Sequence, residues 1–221
     1  MFAVLAHSDP AGLDHLDEIR LHNVVSISPC NALLGGAAPL TAVSRTPSIR
    51  HGVPADIDAV AAIKVANWRE AYVQLIPTDV LAPFLDRAHA VEELRDSTSA
   101  ADANFLVAQD SQGDLIGFSL AYLDQEPDPW LESLHVASAA RGRGVGTALM
   151  REVAHAIRAR GRNSLRLGVV KGNRDAGRLY ERLGAALVAI EPTAWARGVD
   201  HEIYRWADLS GLVGPNDNSA T

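Results

Sequence analysis

The chain has only one cysteine, Cys30, among 221 residues. A single thiol cannot form an internal disulfide bond, and no group of cysteine and histidine residues has the spacing of a metal site. No residue near Cys30 in the sequence would activate its thiol. We therefore expect neither a disulfide scaffold, nor a bound metal, nor thiol catalysis.

The sequence also lacks a long apolar run and an excess of positive charge. No run approaches the roughly 20 apolar residues of a membrane span, and the N-terminus has no basic segment followed by an apolar core. The 20 lysines and arginines are outnumbered by 27 aspartates and glutamates, which gives a net charge of −7. This balance disfavours broad nucleic-acid binding. We expect a cytoplasmic protein with no membrane or nucleic-acid partner.

What is present is an ordinary globular composition, with 48% hydrophobic and 21% charged residues. Residues 1–46 show no lasting periodicity, because proline and glycine interrupt it. We expect residues 1–46 to be a poorly ordered extension, residues 47–208 to be one domain, and residues 209–221 to be a flexible tail.

Periodicity and turn residues within 47–208 predict a mixed α/β domain. Strands are predicted over Ser48–His51, 105–109, 115–123, Trp130–Val136, 164–170, 186–190 and 201–206. Helices are predicted to open at Pro54 and after Pro77, and to cover 89–96, 147–160 and 173–183. The segment 110–114 reads as the turn of a hairpin between two of the strands.

The most informative segment is Arg-Gly-Arg-Gly-Val-Gly at 141–146, between a predicted strand and a predicted helix. Glycine supplies positive φ and lets the backbone approach a ligand closely. The first amides of a helix lack partners and lie at the positive end of the helix dipole. The segment therefore predicts an anion site, most often one for a phosphate.

Residues further along carry a family resemblance. Arg141, Gly144 and Gly146 match the pattern Arg/Gln-x-x-Gly-x-Gly/Ala, and downstream stand Asn173, Ala176, Leu179, Tyr180, Leu183 and Gly184. These two motifs resemble the acetyl-coenzyme A core of the GCN5-related N-acetyltransferase (GNAT) superfamily. Ser138 and Ala185 depart from it, since they stand where a proline and an aromatic residue are usual.

The resemblance implies a mostly antiparallel central sheet, flanked by helices and splayed at the cofactor strand. It implies acetyl-CoA as the acyl donor, and a small-molecule amine or a protein amino group as the acceptor. A homodimer is a further expectation, because family members are often dimers. The expected cofactor residues are Leu134 and Val136 through their backbones, the turn residues Arg141, Gly142, Arg143, Gly144, Val145, Gly146 and Thr147, and Asn173.

For catalysis, the resemblance implies that the Tyr180 hydroxyl protonates the leaving thiolate; the alternative is a core tyrosine that only lines the pocket. Regular alternation places Glu132 with Trp130, Leu134 and Val136 on one strand face, and His135 on the other. Glu132 is our candidate for the base. His135, another residue, water or no dedicated base remain alternatives.

Several other residues have two interpretations at this stage. Arg141 and Arg143 add charge-assisted phosphate contacts or are surface charges. Asn173 caps its helix, contacts the cofactor, or does both. Trp68 and Tyr72 form an acceptor wall or ordinary core.

The acidic loop around residues 124–128 either rims the acceptor cleft or is only solvated. For the whole chain, the alternative function is a non-catalytic acyl-CoA-binding or regulatory module. A nucleotide site is disfavoured, because the Gly-Lys-Ser/Thr of a P-loop is missing.

Overall fold

A computed structural model describes residues 47–213. The expectations for residues 1–46 and 214–221, and for Cys30, lie outside the described residues. None of the described helices is both long and apolar enough to cross a membrane.

The described chain is built on one seven-stranded sheet with the order β1-β2-β3-β4-β5-β7-β6. The strands are β1 Ser48–His51, β2 Ala103–Gln109, β3 Leu115–Tyr122, β4 Trp130–Val136, β5 Leu165–Val170, β6 Ala186–Pro192 and β7 Asp200–Trp206. Every neighbouring pair is antiparallel except β4 and β5, which are parallel. The predicted mixed, mostly antiparallel sheet is confirmed.

Helices connect and cover the strands. They are α1 Ile57–Tyr72, α2 Thr78–Leu81, α3 Arg87–Thr98, α4 Val145–Ala159, α5 Arg174–Arg182 and α6 Ser210–Val213, with 3₁₀ turns at Pro54–Asp56, Ala82–Leu85 and Ser138–Ala140. All the helices predicted from the sequence are present, with ends that differ by a few residues. The α6 turn was not predicted.

The hairpin between β2 and β3 shows how local chemistry sets the fold. Asp110 accepts hydrogen bonds from the N–H groups of Gln112 and Asp114, at 2.9 and 3.0 Å. Gly113 has a φ of 88°, which a residue with a side chain rarely adopts. The hairpin turn predicted at 110–114 is confirmed.

The two faces of the sheet carry separate cores. On β2, Leu106 and Ala108 pack in the cluster that includes α4, whereas Phe105 and Val107 pack in the cluster that includes α1 and α3. Because successive strand residues point to opposite faces, α4 and α1 cover opposite sides of the sheet. The site is built where elements from both sides reach the end of β4.

The residues just after the boundary predicted at 208 are packed against the sheet domain. Leu209, Leu212 and Val213 are buried and belong to the same core cluster as α4. The Leu209 N–H also donates to the carbonyl of Asn163, at 3.1 Å. The four-residue stretch Ser-Gly-Leu-Val has only two large apolar residues, which is too short a pattern to indicate a helix from sequence alone.

Candidate active site

A wedge opens between the parallel strands β4 and β5. Their register is a single pair, Trp130 with Arg166, while β4 continues along β3 to Val136. The N–H of Ala137 donates to Ile116 on β3, so by alternation the backbone groups of Leu134 and Val136 point away from β3, toward the wedge. The splay implied by the resemblance is therefore present, with these backbones at its edge.

A bulge in β4 lies at Glu132. Leu120 of β3 pairs with Ser133 and the next residue, Ala121, pairs with Leu131, which leaves Glu132 as the extra residue. Leu131 consequently shares the α4-side core with Leu134. The predicted alternation, which placed Glu132 and Trp130 on the face of Leu134, is wrong because the bulge reverses it.

Glu132 lies on the sheet face opposite α4. Its carboxylate accepts a 3.0 Å hydrogen bond from the indole N–H of Trp130, and its side chain is buried. Trp130 packs against Tyr122 and Ile203, on the face that α1 and α3 cover. The carboxylate is therefore held on the same side of the sheet as Trp68 and Tyr72.

The glycine turn leads directly into α4. Gly144 is the N-cap residue with a φ of 82°, and no side chain caps the helix. The carbonyl of Gly144 accepts from the Ala148 N–H, so the amides of Val145, Gly146 and Thr147 precede the first intrahelical bond. Three backbone donors and the helix dipole thus point outward from this turn.

A cavity of about 400 Å³ lies in front of these amides. One wall is made by Val136, Ala140, Arg141, Gly142, Gly144, Val145, Gly146 and Thr147, and the other by Asp175, Arg178, Leu179, Arg182 and Leu183 of α5 and its end. The structure thus brings most of the predicted cofactor residues together, whereas Leu134, Arg143 and Asn173 lie outside this wall. The α5 residues were not predicted for this role.

The α5 face of the cavity carries two arginines. Arg178 forms an ion pair with Asp175 on the same helix, and Arg182 lies one turn further along. Both lie within the motif from Asn173 to Gly184, in which only Asn173 and Tyr180 were assigned roles from the sequence. Their spacing of four residues was the available signal, since it places both on one helix face.

Arg141 makes a different contact from the one predicted. Its guanidinium donates to both carboxylate oxygens of Glu70 at 2.9 and 2.8 Å, to the side-chain oxygen of Asn67 at 2.6 Å, and to the Val136 carbonyl at 3.2 Å. The side chain is only 5% exposed. All three nitrogens of this guanidinium donate to groups of the protein. The described contacts therefore do not include the predicted phosphate contact.

Arg143 is the exposed arginine of the turn. Among residues 47–213 it takes part in no ion pair. Its charge is therefore available to an anion that binds at the start of α4.

Tyr180 on α5 is fully buried. Its hydroxyl has no hydrogen-bond partner among the described residues, and its ring contacts those of Tyr204 and Trp206. Burial, and then the neighbouring Tyr72, raise the pKa of Tyr180 well above 10. The phenol thus stays protonated at neutral pH, as a proton donor must be.

Asn173 is the N-cap of α5, which the sequence predicts as one of its roles. Its side-chain oxygen accepts from the Ala176 N–H at 3.3 Å, and its amide donates to the Tyr72 hydroxyl at 3.2 Å. Both polar ends of this buried side chain are thus used within the protein.

Trp68 and Tyr72 form a buried aromatic cluster rather than an open wall. Both are fully buried, and the Trp68 ring stacks on Phe84 with centroids 4.6 Å apart. Trp195, from the connection between β6 and β7, lies 4.9 Å from Phe84. The core interpretation of Trp68 and Tyr72 is the one that the structure bears out.

The acidic loop is tied down by arginines. Asp124 pairs with Arg160 at 2.5 Å, Glu126 with Arg162 at 2.9 Å, and Asp128 with Arg205 at 2.9 Å. The hydrogen bond from Arg205 lowers the pKa of Asp128. Each of these carboxylates therefore has an arginine partner, which reduces the net negative charge that the loop presents to an amine.

A splayed sheet beside a glycine turn at a helix start defines an α/β protein with an anion-binding cleft. The acetyltransferase (GNAT) family matches residues 66–185, more than half of the 221 residues. The chain belongs to this family.

Two curated relatives match part of the chain. Streptothricin acetyltransferase from Streptomyces lavendulae is 33% identical over 108 residues, which are 47% of this chain and 57% of that protein. Thialysine N-epsilon-acetyltransferase from Mus musculus is 35% identical over 81 residues, 34% of this chain and 48% of that protein. The chain spans about half the length of the curated relatives it matches.

Solved structures share the fold. PaiA N-acetyltransferase from Thermoplasma acidophilum, in complex with coenzyme A, superposes with a TM-score of 0.61 at 20% identity over 72% of this chain and 98% of that one. A GCN5-related N-acetyltransferase from Rhodopseudomonas palustris gives a TM-score of 0.59 at 21% identity over 77% and 98%. At this identity the likeness concerns the fold alone.

Proposed function

We propose that the chain transfers the acetyl group of acetyl-CoA to a primary amine of a small molecule or protein. The observation that carries this proposal is the junction at Val136. At this point β4 no longer pairs with β5. The chain then continues through the glycine turn to the first amides of α4, which lie beside the cavity. Family membership supports the same donor.

The residues present fit the phosphates of the cofactor. The amides of Val145, Gly146 and Thr147 are the main donors, because an anion at a helix start gains both hydrogen bonds and the dipole. Arg143 and the cavity residue Arg182 add positive charge. The backbone of Leu134 and the N–H of Val136 line the wedge for the amide-bearing arm. The Val136 carbonyl already accepts from Asn67 and Arg141.

When bound, acetyl-CoA supplies an acetyl group activated as a thioester. Glu132 is the proposed base, because the carboxylate is buried, held by Trp130, and on the sheet face of the aromatic cluster. Tyr180 is the proposed acid. As the amine nitrogen bonds to the acetyl carbon and the carbon–sulfur bond breaks, Tyr180 gives its proton to the sulfur and Glu132 takes one from the amine.

The names of the two curated relatives indicate where to look for the acceptor. One is named for streptothricin and the other for the ε-amino group of a lysine analogue. We therefore place small molecules with a terminal primary amine first among the acceptors to be tested. Protein amino groups remain within the proposed class.

The proposal is tested by release of free thiol from acetyl-CoA with a panel of amines and peptides. Turnover with at least one amine, together with thermal stabilisation by acetyl-CoA, is the expected result. Stabilisation without turnover across the panel would favour the non-catalytic acyl-CoA module. No stabilisation by any acyl-CoA would overturn both.

A further inference from the structure

The first arginine of the cofactor turn faces into the protein. Arg141 makes hydrogen bonds to Glu70, Asn67 and the Val136 carbonyl, and its side chain is 5% exposed. Arg143, two residues later, is exposed. Two arginines of one motif therefore have opposite environments.

The network adds polar contacts between three elements of the structure. Glu70 and Asn67 lie on α1, Val136 ends β4, and Arg141 precedes α4. Asn67 adds a 3.1 Å hydrogen bond of its own to the Val136 carbonyl. Three nitrogens of the planar guanidinium donate to three different groups, which fixes its orientation as well as its position. The turn that presents the α4 amides is thus oriented by a helix on the other face of the sheet.

Charge balance argues against a second role for the same guanidinium. A buried cation needs a partner, and Glu70 provides it with two short contacts. Moving Arg141 to a phosphate would break its hydrogen bonds to the Val136 carbonyl and to Asn67, and would leave the Glu70 carboxylate without its cation.

We propose that Arg141 is a positioning residue for cofactor binding, an inference that rests on the proposed function. With Glu70 and Asn67 it holds the end of β4 and the glycine turn in the orientation that binds phosphate, and it does not contact the phosphate itself. Arg143 is the arginine that contacts the phosphate. Cofactor affinity therefore depends on Glu70, a carboxylate that would repel the cofactor if it met it directly.

The test is a double-mutant cycle at Arg141 and Glu70, in which the Kd of coenzyme A is measured for each variant. We expect Arg141→Ala and Glu70→Ala each to weaken binding by about tenfold, since each breaks the charged hydrogen bonds between the two. The double variant should be no weaker than Arg141→Ala, because both changes remove one interaction. Glu70→Gln, which keeps the shape but not the charge, replaces Glu70→Ala if that variant does not fold.

Arg143→Ala is the matched control. It should weaken coenzyme A binding, add independently to Glu70→Ala, and reduce the dependence of the Kd on salt, because a direct charge–phosphate contact is lost. Arg141→Ala should leave that salt dependence unchanged. In turnover, Glu70→Ala should raise the KM for acetyl-CoA more than it lowers kcat.

The opposite pattern would overturn the inference. If Glu70→Ala binds coenzyme A as tightly as the unmodified protein, or more tightly, while Arg141→Ala alone weakens binding, Arg141 is a phosphate ligand that Glu70 restrains. If the unmodified protein does not bind coenzyme A at all, the proposed function fails first.

Discussion

The rings of Tyr180 and Trp206 meet nearly at right angles, 5.8 Å apart. The Trp206 indole N–H donates to the Leu183 carbonyl at 2.8 Å, just beyond the end of α5. Trp206 is therefore fixed to the helix that carries Tyr180. The position of the Tyr180 ring is set by packing, and no hydrogen bond to a described residue restrains its hydroxyl.

Tyr180→Phe should lower kcat by about a hundredfold or more, because general acid catalysis contributes at least that much in comparable cases. The Kd of coenzyme A should change little. The free energy of unfolding should stay the same or rise, since a buried hydroxyl without a partner is removed. Steady-state kinetics, calorimetric binding and urea unfolding measure the three quantities.

Tyr204→Phe is the control for this substitution. Tyr204 lies 6.2 Å from Tyr180, its hydroxyl is 3.4 Å from Glu202, and burial raises its pKa to about 12. The kcat of the Tyr204→Phe variant should be close to that of the unmodified protein. An equal loss in both variants would indicate that the acid role does not belong to Tyr180.

Glu132→Gln should lower kcat while leaving the Kd of coenzyme A near its original value. The amide oxygen can still accept from the Trp130 indole, so the packing around it is kept. Only the ability to take a proton is lost. A variant that turns over as fast as the unmodified protein, measured at saturating acetyl-CoA, would rule Glu132 out as the base.

Gly144→Ala and Gly146→Ala should differ in stability. Gly144 has a φ of 82°, so alanine there is strained by about 1–2 kcal/mol although nothing lies within 4 Å of the added Cβ. At Gly146 the nearest atom to an added Cβ is 3.7 Å away, an ordinary contact, and alanine should stabilise α4 by up to about 1 kcal/mol. Thermal or urea unfolding in the absence of ligand checks both values.

His135 should make the unfolding free energy depend on pH. Burial, and then the charges of Lys64 and Arg141, lower its pKa well below 6.5. Near and below pH 6.5 the unfolded chain therefore binds a proton that the native protein does not. Above pH 6.5 His135 does not reduce the free energy of unfolding. As the pH drops from 6.5 toward the native pKa of His135, that free energy falls by about 1.4 kcal/mol per pH unit.

His135→Gln should flatten this dependence between pH 6.5 and pH 5, measured by urea unfolding at each pH. The carboxylates whose pKa values are lowered, Asp56, Asp128 and Asp208, contribute mainly below about pH 4, their ordinary range. Their contribution is therefore lost below the range compared here, and to the same extent in both proteins. Identical curves for the two proteins would show that His135 does not titrate as described.

The order of strands and helices was predictable because each element carries its own periodicity and end signals, as the Asp110 turn and the Asn173 cap show. The bulge at Glu132 was not located, since one extra residue leaves no distinct mark in a strand of mixed polar and apolar residues. Regular alternation therefore assigned Glu132 to the wrong face.

The contacts of Arg141 were equally beyond the sequence. Its partners Glu70 and Asn67 are more than 70 residues away in the chain. A local motif predicts the residues of a turn, but it does not predict which distant carboxylate will contact them. Arg182 was missed for a similar reason, because its role depends on the cavity between α4 and α5.

The packing of α6 against α4 affects when the protein can complete its fold during synthesis. Helix α4, whose first amides are proposed to bind phosphate, emerges well before Leu209, Leu212 and Val213, which pack in the same core cluster. Strand β7, which lies between β5 and β6, is also late in the chain. A nascent chain that stops before Leu209 holds the complete glycine motif, yet the apolar back of its helix is still exposed to water and to chaperones.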